Sequence, residues 1–265
     1  MAREESSASS EPEETASRLV RAVEWICHTL WLAERREPEL VRLQERRGSM
    51  GYPHYIVSRG GLVPDERWVD CLYVLPEALV DHLRRRCLDL EPPAYVEASL
   101  DAGAQALARL LPEVEAAGLV ALARSANPSG ELATAWRGLD PGPQPQRRLL
   151  WAAMILRESR AHVHYRAAAA LGLQPVELLV WTALWNGTGT AHVGRLFRWS
   201  EDELQAGLEA LRRRGWVGES GALTEGGAAE RDRLEQRTGH HTEELLGEGP
   251  NPDLERLLAQ IPAEA

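Results

Sequence analysis

The sequence predicts a mainly α protein in two parts: an N-terminal multi-helix domain, then three short helices, a tight hairpin and a long helix. Three observations carry this. Residues 172–238 place helix caps, glycine stops and a Gly-Glu-Ser-Gly turn in a fixed order. Upstream, apolar residues recur at three- and four-residue spacing, the period of an amphipathic helix, rather than alternating as in a strand. The 265 residues, 44% of them hydrophobic, suffice for one large core or two modest ones. Helix, helix, helix, hairpin, helix is the order of a winged helix-turn-helix domain with a short β-hairpin wing. The expected organisation is a disordered tail over 1–17, a helical ligand-pocket domain over 18–170, the winged helix-turn-helix over 171–246 and a tail over 247–265.

The first segment is acidic and polar and offers nothing to bury. Residues 15–47 read as a helix, with Leu19, Val23, Ile26, Leu30 and Ala33 on one face. Residues 48–61 (GSMGYPHYIVSRGG) form a short element between glycine stops, with Pro53 suited to a first helical turn. Residues 64–87 read as one or two helices striped by Trp68, Leu72, Leu75, Leu79 and Leu83. Residues 99–125 read as one helix rich in Ala and Leu. The Pro- and Gly-rich stretch 126–146 reads as a linker or long loop, and helix returns over 147–170.

In the C-terminal part, Pro175 opens the first helix and Asn186-Gly187 closes it. Residues 190–197 make a short second helix. Ser200 with Glu203 forms a capping box for the third, whose buried stripe is Leu204, Leu208 and Leu211 and whose stop is Gly215. Trp216-Val217 and Ala222-Leu223-Thr224 are the strands of the wing, and Thr224 then caps the long last helix.

Composition excludes several functions. A net charge of −10 disfavours general attraction to nucleic acid or to an anionic membrane. No apolar run approaches the roughly 18–20 residues of a membrane span, and the N-terminus has no signal-peptide core, so a cytoplasmic location is expected. All 30 basic residues are arginine. Schiff-base catalysis and a P-loop lysine are therefore impossible. Cys27, Cys71 and Cys87 lack CxxC spacing and read as inert thiols.

The helix-turn-helix raises the question of DNA. Its third helix would enter the major groove. Without the core positions, its outer face is Glu201, Asp202, Gln205 and Glu209, and over 190–246 there are 8 arginines against 11 acidic residues. Phosphate neutralisation supplies most non-specific affinity, so nucleic acid is an unexpected partner. Arg212, Arg213 and Arg214, with Arg195 and Arg198, are the counterweight; at a helix C-terminus such cations also serve the helix dipole.

Several segments resemble a known group. WICHTLW around His28, GYPHYIVSRGGLVP, PQPQRRLLWAAMILRESRAHVHYRAAAALGLQPVE, ELLVWTALWNG and GALTEGGAAERDRLE are similar to the SalK-like helix-turn-helix family of actinobacteria, over roughly 22–246. The last of these is similar to MarR-type regulators as well. The matching positions in the long third segment are Leu150, Trp151, Leu156, Arg157, Glu158, Arg160 and His164. Where the family pattern has His-Arg-Gly-Asp-Gly-His, this chain has Ser-Arg-Ala-His-Val-His. The resemblance implies a helical N-terminal domain, a C-terminal winged helix and a link to antibiotic and other specialised metabolism. It implies no particular reaction.

The candidate catalytic residues are His28 and His164. His28 lies beside the apolar face of the first helix, with Glu24 one turn away as a possible pair. His162 and His164 are two apart and diverge on a helix, so only one faces inward. Arg160 and His164 are four apart and share a face, a fixed cation beside a titratable donor. Tyr52, Tyr55 and Arg59, with His54, make an aromatic-polar cluster suited to a small aromatic or polyketide-like ligand. Glu158 completes the ligand-binding set and, with Glu24, is a candidate carboxylate partner of Arg160. Trp181 and Trp185 share a helix face and are expected at the domain junction. His240 and His241 read as solvated.

The functional reading is a small-molecule-binding protein of specialised metabolism, cofactor-free and open to histidine acid/base chemistry, with a homodimer expected. A MarR-like, ligand-responsive transcriptional regulator is the alternative. A haem or metal held through His28 or His164 is a third and lesser reading.

Overall fold

Capping chemistry sets where the helices of this protein begin. The computed structural model describes residues 11–34, 36, 62–64, 67–87, 92–247 and 251–262. The N-terminal part comprises α1 (Glu11–Glu34), α2 (Trp68–Cys71), α3 (Glu77–Cys87), α4 (Pro92–Leu110), α5 (Ala117–Ser125), α6 (Glu131–Arg137) and α7 (Pro145–Ala170). Then come α8 (Pro175–Trp185), α9 (Thr190–Phe197), α10 (Glu201–Arg213), α11 (Glu225–Leu246) and α12 (Pro252–Gln260). Both α7 and α8 start on a proline, whose missing N–H has no partner to lose there. Ser200 and Glu203 close the capping box of α10, and the Thr224 hydroxyl accepts the Gly227 N–H to start α11.

The first half of α7 is the axis of the N-terminal part. Leu149 through Leu156 are buried on every side of the helix, the mark of a fully enclosed element. Around them α1, α4, α5 and α6 contribute Ile26, Leu30, Leu100, Leu107, Leu119 and Trp136. A second, smaller core lies among the helix-turn-helix elements: Leu173, Leu178, Trp181, Leu204, Leu211, Val217 and Leu234. The turn between α2 and α3 ties the two parts together. The Tyr73 hydroxyl donates to the Leu173 carbonyl at 2.7 Å, and Trp199 Nε1 donates to the Val74 carbonyl at 3.0 Å.

The one or two helices expected over 64–87 are two, because Pro76 restarts the chain as α3 through its carbonyl. Three other expectations need correction. The 99–125 pattern breaks between Leu110 and Ala117, around Pro112. The 126–146 stretch, expected as a loop, contains α6. Its Pro and Gly signals hold only at the edges, while ELATAWR buries Leu132, Ala133 and Trp136 on one face. The wing is reduced to one antiparallel bridge, Val217 to Leu223, with Gly218 N–H donating to Ala222 and Thr224 N–H to Trp216. The ladder stops there because Thr224 is already the cap of α11, leaving the second strand no length.

The chain ends expected to be tails also differ. α1 begins at Glu11 and buries Ala16. Over 247–265, Asn251 caps α12, and Leu254, Leu257 and Leu258 are buried in the large core. α12 lies across α5 so closely that a Cβ at Gly118 would collide with the backbone of Asp253 and Leu254. Backbone cannot swing aside as a flexible side chain does. Gly118→Ala is therefore expected to destabilise the protein by about 1–3 kcal/mol, read as a lowered urea midpoint. An unchanged midpoint would show that α12 is not seated there. Among the described residues no single helix is long and apolar enough to cross a membrane.

Candidate functional site

The second half of α7 is where the chain turns polar. A helix advances about 100° per residue, so Arg157, Arg160 and His164 share one face while Glu158, His162 and Tyr165 turn towards another. The first face lines a cleft of about 560 Å³ between α1 and α7 on one side and α8, α9 and α11 on the other. Cys27, His28 and Trp31 enter it from α1, Thr182 and Trp185 from α8, and Arg231 and Glu235 from α11. The other face lines a cleft of about 320 Å³ with Arg67, Tyr73, Glu131 and Arg166. Tyr165 borders both, stacked on Tyr73 at 5.4 Å.

The structure thus puts His28, Arg160 and His164 on one cleft although α1 and α7 are far apart in sequence. Glu158 lines the smaller one with His162. Tyr52, Tyr55 and Arg59, and His54 beside them, lie outside the described residues. His28 is exposed, its ring 4.9 Å from that of Trp31. Glu24, expected near His28, pairs with Arg157 at 3.1 Å. Trp181 stacks on Trp216 at 4.4 Å inside the helix-turn-helix core, whereas Trp185 is 42% exposed at the cleft. The shared helix face of these two tryptophans therefore divides between a core and a cleft.

Arg160 corrects another expectation. Its partner is neither Glu158 nor Glu24 but Glu235 of α11, at 2.8 Å. The helix geometry explains it, since Glu158 turns away and Glu24 is engaged by Arg157. Glu235 also accepts from Arg231 at 2.5 Å. Arg231 is 2% exposed, donates to the Thr182 hydroxyl at 3.4 Å and lies over the rings of Trp181 and Trp185, at 5.7 and 4.9 Å. Two guanidiniums therefore share one carboxylate. Burial alone would raise the Glu235 carboxyl, but Arg231, His164 and Arg160 hold it below the ordinary carboxylate range.

His164 sits beside this trio. Burial pushes it down to about 4; Glu235 opposes the fall, and Arg231 and Arg160 deepen it. Its tautomer follows from its neighbours. The Thr238 hydroxyl donates to the Leu234 carbonyl at 2.9 Å, so it receives a proton from His164 Nδ1 at 3.1 Å. Nδ1 carries the hydrogen, and Nε2 keeps a lone pair.

A Ser-His-Glu string also joins α7 to α11, and it corrects the reading of His241 as solvated. Ser159 Oγ lies 3.1 Å from His241 Nε2, and His241 Nδ1 lies 3.9 Å from Glu244. The resemblance to a catalytic triad stops there. Ser159 is 1% exposed and accepts the Ser129 N–H at 2.8 Å, so it meets backbone rather than a cleft. The string is a clamp between two helices. His240 is the exposed member of the pair.

The outer face of α10 exposes Glu201, Asp202, Glu203, Gln205 and Glu209, and Gln205 donates to Glu209 at 3.1 Å. Of the arginine triplet, Arg214 is turned back onto the Leu171 and Gly172 carbonyls, at 2.9 and 2.6 Å. Arg212 leans towards Glu209 at 3.8 Å. Arg213, Arg195 and Arg198 are exposed, as is Glu219 at the wing tip.

Sequence reasoning missed Arg231, Glu235 and Thr238. The signal was present: Arg231, Glu235, Thr238 and Thr242 recur at three- and four-residue spacing on α11, a polar stripe where an apolar one would pack. Residues 16–263, nearly the whole chain, match a helix-turn-helix family, and the chain belongs to it. No curated protein and no solved structure matches it.

Proposed function

We propose that this helix-turn-helix family member binds a small organic molecule in the 560 Å³ cleft, with the helix-turn-helix unit as one wall rather than as a DNA reader. The supporting observation is that both parts of the chain build the cleft, with aromatic and aliphatic side chains around a few charged ones, the usual lining of a small-molecule site. The likeness to SalK-like proteins favours a specialised metabolite as the natural ligand. Binding is favoured over general-base catalysis by His164, because a base held at about 4 accepts protons weakly at neutral pH.

A neutral aromatic probe, N-phenyl-1-naphthylamine, tests the reading. Its fluorescence is expected to rise saturably with one site per chain. Leu196→Trp, which intrudes on the cleft from α9, is expected to weaken that binding about tenfold or more. Saturable binding left untouched by Leu196→Trp, or none at all, would sink the proposal.

The exposed Arg195, Arg198 and Arg213 favour the second reading, a ligand-responsive regulator. Against it stands the acidic face of α10, which would meet DNA phosphates. In a gel shift against the upstream region of its own gene at about 0.1 M salt, no sequence-specific retention at nanomolar protein is expected. Such retention would make the regulator the better reading.

A further inference from the structure

We infer that the ligand of this cleft is an organic anion, an aromatic or otherwise apolar carboxylate, whose charged end is held by the guanidiniums of Arg160 and Arg231. This rests on the cleft being a ligand site, and adds the chemical class. The first observation is charge. Arg160 and Arg231 both line the cleft and share the single carboxylate of Glu235, which leaves one positive charge over. Two other nearby carboxylates, Glu24, half exposed to water, and the buried Glu158 on the other face of α7, are both engaged by Arg157, at 3.1 and 3.2 Å. Asp232, the next acid on α11, accepts from Trp185 Nε1 at 3.0 Å.

The second observation is unsatisfied hydrogen bonding. The Nε of Arg160 and that of Arg231 are buried and find no acceptor among the described residues. The side chain of Arg231 is 3% exposed, so bulk water reaches little of it, whereas Arg160, 25% exposed, presents its guanidinium to the cleft. A buried donor without an acceptor is costly, and for a charged group more so. The rings of Trp181 and Trp185 relieve part of the Arg231 charge through their faces, but they offer no in-plane acceptor. A carboxylate supplies both the charge and the lone pairs.

The third observation is the character of the walls. Trp185 is 42% exposed beside the arginines, and Trp31, Tyr165, Leu196 and Phe197 extend the lining away from them. That division, cations at one end and rings beyond, fits an amphipathic anion. It does not fit inorganic phosphate, which would leave the apolar walls wet.

The test is displacement of N-phenyl-1-naphthylamine from the full-length protein by two ligands of one shape, 2-naphthoate and 2-naphthamide. The carboxylate is expected to displace the probe at a concentration about tenfold lower or more, the scale of one charge-assisted hydrogen bond. In Arg160→Met that preference is expected to fall to near one, and in Arg160→Lys to recover in part. Arg160 is a better target than the buried Arg231, whose loss threatens folding, and the melting temperature of each variant checks its fold. If the probe binds but the amide competes as well as the carboxylate, the anion inference is overturned and the cleft reading stands. An equal preference in Arg160→Met and the parent also overturns the assignment of the anion to these arginines. If the probe does not bind, both fall.

Discussion

Glu235→Ala is expected to destabilise the protein by about 3–5 kcal/mol, far more than the 0–1 kcal/mol of an exposed ion pair. The reason is not the strength of one salt bridge. Glu235 is the carboxylate that two guanidiniums share, and one of them, Arg231, is closed off from water. Its removal leaves a buried cation with aromatic faces and one long hydrogen bond to Thr182. The double variant Glu235→Ala/Arg231→Met removes that stranded charge and is expected to be more stable than Glu235→Ala alone. Urea denaturation of both variants at neutral pH provides the check. A single-variant loss below about 1 kcal/mol, or a double variant less stable than the single, would contradict this account of α11 and α7.

His164 gives the second large effect, a dependence of stability on pH. Its pKa falls from the ordinary 6.5 to about 4 on folding. A group lowered in this way stabilises the fold fully above its unfolded value and loses that contribution as pH falls through the folded one. Stability is therefore expected to decline between about pH 6.5 and pH 4, by roughly 3 kcal/mol from this residue. His162 and His241, lowered mainly by burial, act in the same direction. From about pH 4.5 downward the lowered Glu235 carboxyl adds its own loss, because the unfolded chain takes up that proton first. His164→Gln keeps a donor for Thr238 without a titrating ring, and its stability should be much flatter across the window. A variant with the parent's slope would show that His164 is not the buried neutral group described.

How much of this was legible in the sequence depends on the range of the interactions involved. The helix-turn-helix was readable because its signals are local: a capping box at Ser200 and Glu203, a stop at Gly215, a cap at Thr224. So was the divergence of His162 and His164, which follows from helix geometry and which the structure resolves as two separate clefts. The partner of Arg160 was not readable. Glu158 was the nearer candidate in sequence, and only the packing of α11 on α7 brings Glu235 there. α12 was hidden for a similar reason. A short helix among polar residues reveals its role only when Gly118 opens the space to dock it. The wing was overstated because two strand-like dipeptides look alike whether or not a helix cap cuts one short.

The most direct test of the central claim is hydrogen–deuterium exchange of the full-length protein with and without saturating N-phenyl-1-naphthylamine. The probe is expected to slow exchange at once in peptides from α1 around His28, from α7 around Arg160, from α9 and from the Arg231–Glu235 turn of α11, because these line one cleft. Peptides of α10 should be unaffected. Protection confined to one of the two parts of the chain, or centred on α10, would contradict a ligand site built between them.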